Sequence, residues 1–136
     1  MGCGAGTLAI AAALALETEI LATDIDPDAV SVTNRNAIIN KAEQFIHANC
    51  VNGFDDPVFA DRKFDLIFAN ILAGPLVGLA PEISEHLEEH GQVILSGILD
   101  EQADKVAAAF SDQNLDIKKG PSLSGWTSLL GKKRSA

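Results

Sequence analysis

The sequence predicts a doubly wound α/β fold whose sheet is mostly parallel. Two observations support this prediction. Segments with the composition of short buried strands alternate with helical segments along the chain, which is the pattern of such sheets. The chain also has 136 residues, of which 47% are hydrophobic. It is therefore long enough to form a substantial core, and in folds of this class ligands bind at the carboxyl ends of the strands.

The first half of the chain alternates two helices with two strands. Residues 7–16 are rich in Ala and Leu, without an interrupting Gly or Pro, and predict a helix. Residues 19–23 and 44–50 predict short buried strands. Between these strands, Asp26 can cap a helix and Pro27 suits a first helical position, so we expect a helix over residues 27–41.

The second half opens with a strand and a long helical region. Residues 64–69 are apolar except for Asp65, as expected for a central strand of a parallel sheet. Residues 73–91 predict a helix in two pieces. Pro81 suits the start of the second piece, and Gly91 suits its C-terminal cap.

The remaining segments complete the alternation. Residues 92–96 predict another buried strand, and residues 100–110 predict an amphipathic helix. Residues 115–119 and 126–130 are expected to form a closing pair of strands around a turn at Gly120-Pro121.

The charge of the chain limits its partners. The formal net charge is -9, which argues against nucleic acid because phosphates would be repelled. An acidic protein attracts a basic protein or an amine substrate instead, although the same charge also serves solubility alone.

The composition predicts a cytoplasmic protein without a metal site or a membrane segment. Two Cys are too few for a disulfide framework, and the three His are scattered rather than spaced as zinc ligands. The longest apolar run, residues 8–16, is too short to span a bilayer. No Lys or Arg precedes Arg35, so the positively charged region of a signal peptide is missing.

A glycine-rich loop, Gly2-Cys3-Gly4-Ala5-Gly6, lies at the start of the first helix. Glycines allow positive φ angles and let a backbone approach a ligand closely, and the helix start offers free N–H groups. A dinucleotide site prefers GxGxxG, but Thr7 occupies the position of its third glycine. The alternative interpretation is a tight turn that serves packing alone.

Asp24 follows the first predicted strand, about 20 residues after the glycines, where an acidic side chain accepts hydrogen bonds from both hydroxyls of a ribose. The alternative for Asp24 and for Asp26 is helix capping. Asp26 directly precedes Pro27 and is the better cap, which leaves Asp24 free. The glycine loop and Asp24 together predict that the chain binds a nucleoside.

Asn70 ends the strand at 64–69 and is therefore placed at the carboxyl edge of the sheet. Its amide oxygen could accept a hydrogen bond from a substrate N–H and so aim the lone pair of that nitrogen. The alternative is an Asx turn that caps the next helix.

Four stretches together resemble one bacterial family: GCGAGTLAIAA, ATDIDPDAV, FDLIFANILAGPLVGLAPEI and GQVILSGILDEQADKV. They are similar to the catalytic domain of the PrmA family, the S-adenosylmethionine-dependent class I methyltransferases of large-subunit ribosomal protein eleven. NILAGPL with LSGIL is more specific than the glycine loop, and SGWTSLLGKK resembles the family's final strand. The resemblance implies a Rossmann-like sheet of the class I methyltransferase type.

The resemblance also implies a role for each candidate residue. The cofactor would be S-adenosylmethionine, and the substrate would be amino nitrogens of a basic ribosomal protein, on a lysine side chain or the α-amino group. Asn70 matches the first Asn of the motif of methyltransferases acting on nitrogen, although Ile-Leu-Ala replaces the common Pro-Pro-aromatic after it. Implied cofactor contacts are Gly2, Gly4 and Gly6 with the methionine part, Asp24 with the ribose, Ile25 with the adenine, Asn70 and, less specifically, Asn52 and Gly53.

The chain departs from the family at its start. In the family, a strand ending in Asp precedes the glycine loop, and a separate N-terminal domain recognises the ribosomal protein. We therefore expect residues 1–136 to be the catalytic domain cut at its first strand, through a misplaced start codon or a truncation. Because that strand is central in the family, we expect a divided sheet that self-associates through unpaired edges, binds the cofactor weakly or not at all, and alone does not methylate the ribosomal protein.

Two other functions stay open on the sequence. An NAD-binding oxidoreductase domain would use a similar loop and acid, but we identify no nicotinamide site and no partner for hydride transfer. A methyltransferase-fold domain that is an inactive remnant or an assembly partner would keep the fold without turnover.

Overall fold

A computed structural model describes every residue from Met1 to Ala136. The chain divides into two compact units, residues 1–56 and 57–136. The first unit contains α1 (Thr7–Leu16), β1 (Ile20–Asp24), α2 (Pro27–Ile39) and β2 (Ile46–Cys50). The second unit contains β3 (Phe64–Asn70), α3 (Ala73–Glu85), β4 (Leu87–Leu99), α4 (Ala103–Ser111), β5 (Leu115–Leu123) and β6 (Trp126–Lys133).

The first unit is a two-stranded parallel sheet with two helices packed on it. β1 pairs with β2 from Ile20 opposite Ile46 to Asp24 opposite Cys50. α1 and α2 each contact both strands. The buried side chains between them are Ile10, Ala13, Ala22, Ala37, Ala42 and Ile46. Most of these side chains are alanine, so each buries little apolar area.

The predicted start of α2 is confirmed. The Oδ1 atom of Asp26 accepts a hydrogen bond from the N–H of Asp28 at 2.9 Å, and Pro27 occupies the first helical position. The side chain thus satisfies one of the N–H groups that a helix start leaves without an intrahelical acceptor. The helix ends at Ile39, slightly earlier than predicted.

The second unit is a four-stranded mixed sheet in the order β3-β4-β6-β5. β3 and β4 are parallel, whereas β6 runs antiparallel to both of its neighbours, β4 and β5. α3 and α4 pack against each other and against the sheet. The largest fully buried side chains include Leu76, Ile83, Leu95, Ile98, Val106, Phe110, Leu115 and Leu129.

The strands thus form two sheets rather than one, in agreement with the expected division of the sheet. The prediction that residues 64–69 form a central strand is wrong for the sheet that contains them. β3 is at an edge of the four-stranded sheet and pairs there only with β4. Two of its apolar residues, Ile67 and Ala69, are nevertheless buried.

The long helical region is one helix and not two pieces. α3 runs through Pro81 and ends at Glu85, and His86 is its cap residue. The proline ring is exposed at the surface, so it enters no packed interface.

Gly91 does not cap α3, because β4 has already begun at Leu87. Instead, Gly91 lies where two backbones come close together. A Cβ atom on it would come within 2.9 Å of the carbonyl oxygen of Glu88 and 3.0 Å of that of Phe64. Glycine is therefore required there, because the neighbouring backbone leaves no room for a Cβ atom.

The closing pair of strands is confirmed, but its turn is not at Gly120-Pro121. The turn is Ser124-Gly125, whose φ angles are 52° and 84°. Two positive φ angles in succession are what a tight hairpin turn of the favoured twist requires. Gly120 and Pro121 lie inside β5, where the pairing with β6 shifts register, and a bulge in an edge strand tolerates a residue without an N–H group.

Asp100 ties the tip of this hairpin to the end of β4. Its Oδ2 accepts a hydrogen bond from the hydroxyl of Ser122 at 2.6 Å, and its Oδ1 accepts one from the hydroxyl of Thr127. Its backbone N–H donates to the carbonyl oxygen of Gly125 at 3.0 Å. These bonds, first from Ser122 and then from Thr127, hold the pKa of the Asp100 carboxyl below its usual value of 3.8.

Protonation of Asp100 should therefore loosen the hairpin tip. A lowered pKa means that the folded state favours the charged form. The contribution of Asp100 to stability is fully present above pH 3.8 and is lost as the pH falls through the lowered pKa. Trp126, the single tryptophan, reports on the tip through its fluorescence. We expect its emission to change in acid below pH 3.8, and we expect Asp100→Asn to show the acid spectrum already at neutral pH.

The matched control is Asp112→Asn, which removes a carboxylate at the C-terminal end of α4. It should titrate like the wild type. A spectrum of Asp100→Asn that follows the wild type through the whole titration would contradict the role of Asp100.

Candidate functional site

The glycine loop is a left-handed backbone turn that leads into α1. The φ angles of Gly2, Gly4 and Gly6 are 66°, 53° and 85°, a region that other residues rarely adopt. The N–H of Cys3 donates to the carbonyl oxygen of Thr23 at 2.9 Å, which fixes the loop beside the carboxyl end of β1. The backbone angles thus favour glycine at each predicted position of the loop.

Two side chains of α2 hold the loop from a second direction. The hydroxyl of Thr33, which is fully buried, donates to the carbonyl oxygen of Gly4 at 2.9 Å. The side-chain amide of Asn36 donates to the carbonyl oxygen of Ala5 at 2.8 Å. A Cβ atom on Gly6 would lie 3.0 Å from the Cγ2 atom of Thr33, so this glycine also makes room for the threonine.

Thr33 and Asn36 are not among the site residues predicted from the sequence. They stand one helical turn apart, on the same face of α2. A polar pair on the side of a helix that otherwise carries apolar core residues was the available signal. Nothing in the spacing of the sequence connects them to a loop some 30 residues away, as the separations of 29 and 31 residues in these two bonds illustrate.

Asp24 is not free of backbone partners, contrary to the expectation. Its Oδ2 accepts a hydrogen bond from the N–H of Gly4 at 2.9 Å, and its Oδ1 accepts one from the N–H of Asp26 at 3.0 Å. Asp26 alone caps α2. A carboxylate offers about four acceptor positions, so each Asp24 oxygen retains capacity for a further donor such as a hydroxyl.

The surroundings of this carboxylate are open and partly apolar. A Cβ atom added to Gly4 or to Gly53 would meet nothing within 4 Å. The side chain of Ile25 is 70% exposed directly after Asp24. An acceptor for hydroxyl groups, an accessible glycine backbone and an exposed apolar side chain next to it fit a cofactor that carries a nucleoside.

Asn70, the last residue of β3, belongs to the second unit and is exposed. It lies opposite Ser96 of the parallel neighbour β4. Its interpretation as a helix cap is wrong, because Leu72 is the N-terminal cap residue of α3 and no side chain makes a capping hydrogen bond there. The amide group is therefore available at the carboxyl edge of the sheet, where the sequence analysis placed it.

No helix in the structure combines the length and the apolar character needed to cross a membrane. The structure also contains no group of three or more His, Cys, Asp or Glu side chains placed to hold a metal ion. Cys3 and Cys50 are both free thiols.

The sequence model of the family described as "Ribosomal protein L11 methyltransferase (PrmA)" matches residues 1–134. A protein named ribosomal protein L11 methyltransferase from Brucella suis is 48% identical over 130 residues, which are 95% of this chain and 46% of that protein. A protein of the same name from Rhodopseudomonas palustris is 45% identical over 131 residues, covering 96% of this chain and 44% of that protein. The chain thus spans a little less than half the length of the curated relatives it matches.

Solved structures give the same result. The crystal structure of the ribosomal protein L11 methylase from Lactobacillus delbrueckii matches with a TM-score of 0.89 and 36% identity, over 98% of this chain and 68% of that one. A methyltransferase from Pyrococcus furiosus matches with a TM-score of 0.81 at 22% identity, over 98% of this chain and 73% of that one, which shows the fold alone. These matches confirm the predicted α/β class with its Rossmann-like topology. The chain belongs to the ribosomal protein L11 methyltransferase (PrmA) family.

Proposed function

We propose that residues 1–136 act as the catalytic domain of an S-adenosylmethionine-dependent protein N-methyltransferase. The substrate nitrogens would be amino groups of a ribosomal protein, on lysine side chains or at the α-amino terminus. The observation that carries the proposal is the hydrogen bond between Gly4 and Asp24, at 2.9 Å, in a chain of this family. It joins the two parts of a nucleoside site that the sequence predicts separately.

The geometry of the first unit supports the proposed cofactor contacts. Gly2, Gly4 and Gly6 would line the methionine part, with the exposed backbone of Gly4 as its most accessible point. The Asp24 carboxylate would accept hydrogen bonds from the ribose hydroxyls through its remaining acceptor positions. Ile25, exposed beside it, would pack against the adenine.

When bound, the cofactor supplies an electrophilic methyl carbon. The protein has to present an uncharged amine in line with that carbon. Asn70 would accept a hydrogen bond from one N–H of the amine through its Oδ1 atom and so direct the nitrogen lone pair. Orientation of this kind can contribute on the order of 7 kcal/mol or more to lowering a barrier.

A lysine amine must lose its proton before it reacts, since its unperturbed pKa is about 10.4. No side chain of the chain stands out as the base for this step. Burial of the amine would lower its pKa, and the proton would pass to bulk water. The role of the protein is then positioning rather than acid–base catalysis.

A basic ribosomal protein is the proposed partner, and not nucleic acid or a membrane. The net charge of -9 favours encounter with a cationic protein and opposes contact with phosphates. The relatives from Brucella suis and Rhodopseudomonas palustris carry the name of a methyltransferase of ribosomal protein L11, which supports the same class of partner.

The alternatives are a fold that persists without turnover, as a remnant or an assembly partner, and an NAD-binding oxidoreductase domain. Family membership and the Thr7 in place of a third glycine speak against NAD. The inactive alternative is separated from the proposal by an assay of methyl transfer.

The relative affinity of the chain for different cofactors tests the binding site proposed in the first unit. We expect tighter binding of S-adenosylmethionine or S-adenosylhomocysteine than of NAD, measured by calorimetry on the chain and on a version extended by the strand that precedes the loop in the family. Asp24→Ala should weaken binding by about 1–3 kcal/mol, because the ribose hydroxyls and the Gly4 N–H lose their acceptor. Asp26→Ala, which removes only the cap of α2, is the control and should bind within twofold of the wild type. Tighter binding of NAD would refute the methyltransferase proposal.

The role of Asn70 is tested by separating rate from affinity. Asn70→Ala should lower the single-turnover rate of methyl transfer to a peptide amine or to ribosomal protein L11 by on the order of 100-fold. The Kd of the cofactor should change much less. Asn34→Ala serves as the control, because it removes a side chain of the same type from an exposed position on α2. Equal rates for Asn70→Ala and the wild type would remove Asn70 from the mechanism.

Strand edges should promote self-association of residues 1–136. β1 and β3 are each an edge strand of their own sheet, and edge strands present backbone N–H and C=O groups to other strands. We expect light scattering to show dimers or larger species whose proportion rises with concentration. A monomer at all concentrations that still binds S-adenosylmethionine would show that these edges do not recruit a partner.

A further inference from the structure

We propose that Gly97 positions the Asn70 side chain for methyl transfer, because the Asn70-Ile71 segment packs directly against it. The inference rests on the proposed function of Asn70 and adds a second residue to it. Gly97 touches neither substrate nor cofactor in this proposal and acts only through Asn70.

The backbone at Gly97 is suited to glycine alone. Its φ angle is +80°, in the region that L side chains rarely adopt. The residue lies in β4, where the pairing with β6 shifts register between Leu95 and Ile98. Bulges of this kind bend a strand locally and change the direction of neighbouring side chains.

The space at Gly97 is occupied by the Asn70 segment itself. A Cβ atom on Gly97 would lie 2.9 Å from the carbonyl oxygen of Ile71 and 3.0 Å from the Oδ1 atom of Asn70. The first of these atoms is backbone, so it cannot move aside without shifting the chain that leaves β3. Both the main chain after Asn70 and its amide group therefore lie directly against the Cα atom of Gly97.

This contact matters because an exposed asparagine is otherwise poorly fixed. The last torsion of an asparagine side chain has broad minima, and Asn70 does not cap α3. Contact with Gly97 on one side limits the positions open to the amide oxygen. A displacement of about 1 Å in a positioning group can cost on the order of 100-fold in rate, so a methyl group at position 97 should act on the rate.

The kinetic test compares alanine at two glycines with similar positive φ angles. Gly97→Ala introduces a Cβ atom against Asn70, whereas Gly125→Ala, at φ +84°, introduces one into space with no atom within 4 Å. We expect Gly97→Ala to lower the single-turnover rate of methyl transfer by roughly 10- to 100-fold. The Kd of S-adenosylmethionine should stay within twofold, and Gly125→Ala should match the wild type in both quantities. Equal losses of rate in the two variants would overturn the inference.

A double-mutant comparison separates positioning from a general structural effect. In an Asn70→Ala background there is no amide left to position, so adding Gly97→Ala should change the rate by less than twofold. If Gly97→Ala is as harmful there as in the wild type, its effect does not pass through Asn70 and the inference is wrong.

A third test does not depend on activity. In the wild-type chain, the Oδ1 atom of Asn70 lies against Gly97, so the α-proton resonances of Gly97 should shift in Asn70→Ala. The side-chain amide pair of Asn70 is assigned by its loss in Asn70→Ala, and it should shift in Gly97→Ala but not in Gly125→Ala. Unshifted Gly97 α protons in Asn70→Ala, or an unshifted amide pair in folded Gly97→Ala, would overturn the inference. A wild-type chain in which both shifts are found but that transfers no methyl group would overturn the proposed function while supporting the placement of Asn70 by Gly97.

Discussion

The first unit depends on a glycine loop that its neighbours β1 and α2 hold in place. Three positive φ angles define the loop, and its backbone and the Cys3 sulfur make the hydrogen bonds that keep it in place. β1 supplies the Thr23 carbonyl and the Asp24 carboxylate, and α2 supplies Thr33 and Asn36. The exposure of the loop backbone is therefore due to its glycines, whereas its rigidity is due to the neighbouring residues.

This arrangement gives Asp24 two tasks with one carboxylate. A carboxylate without hydrogen-bond partners in the free protein would rotate freely. Binding of a ribose would then have to fix its rotamer, at an entropic cost. Because backbone N–H groups of Gly4 and Asp26 already occupy one position on each oxygen, the carboxylate is oriented before any ligand arrives. Preorganisation of this kind increases affinity without adding a contact.

Local chemistry made parts of this molecule predictable from its sequence. The cap at Asp26, the bounds of α1 and the parallel pairing of β1 with β2 follow from propensity, capping and alternation. Two of the errors arose where a residue type has two uses. Proline at 81 fits a helix start but also an exposed helix interior, and glycine at 91 fits a cap but also a close backbone approach.

Distance along the chain explains what could not be predicted at all. Thr33 and Asn36 meet the loop, and Gly97 meets Asn70, only through the folding of segments some 30 residues apart. Sequence spacing identifies the residues that bear the chemistry, since strand ends and glycine loops have local signatures. It does not identify the residues that hold them, because those depend on which elements become neighbours.

The place of β6 in its sheet has a consequence for how the chain is made. β6 is the final strand along the chain, yet it is inserted between β4 and β5, which do not pair with each other. During synthesis, β4 and β5 therefore emerge with no strand between them, and their facing edges stay exposed until β6 has left the ribosome. The second unit cannot complete its sheet progressively, one strand after the next. Its sheet is complete only once β6 has paired both with β5, as the hairpin, and with β4. Until then the free edge of β4 can contact other chains instead.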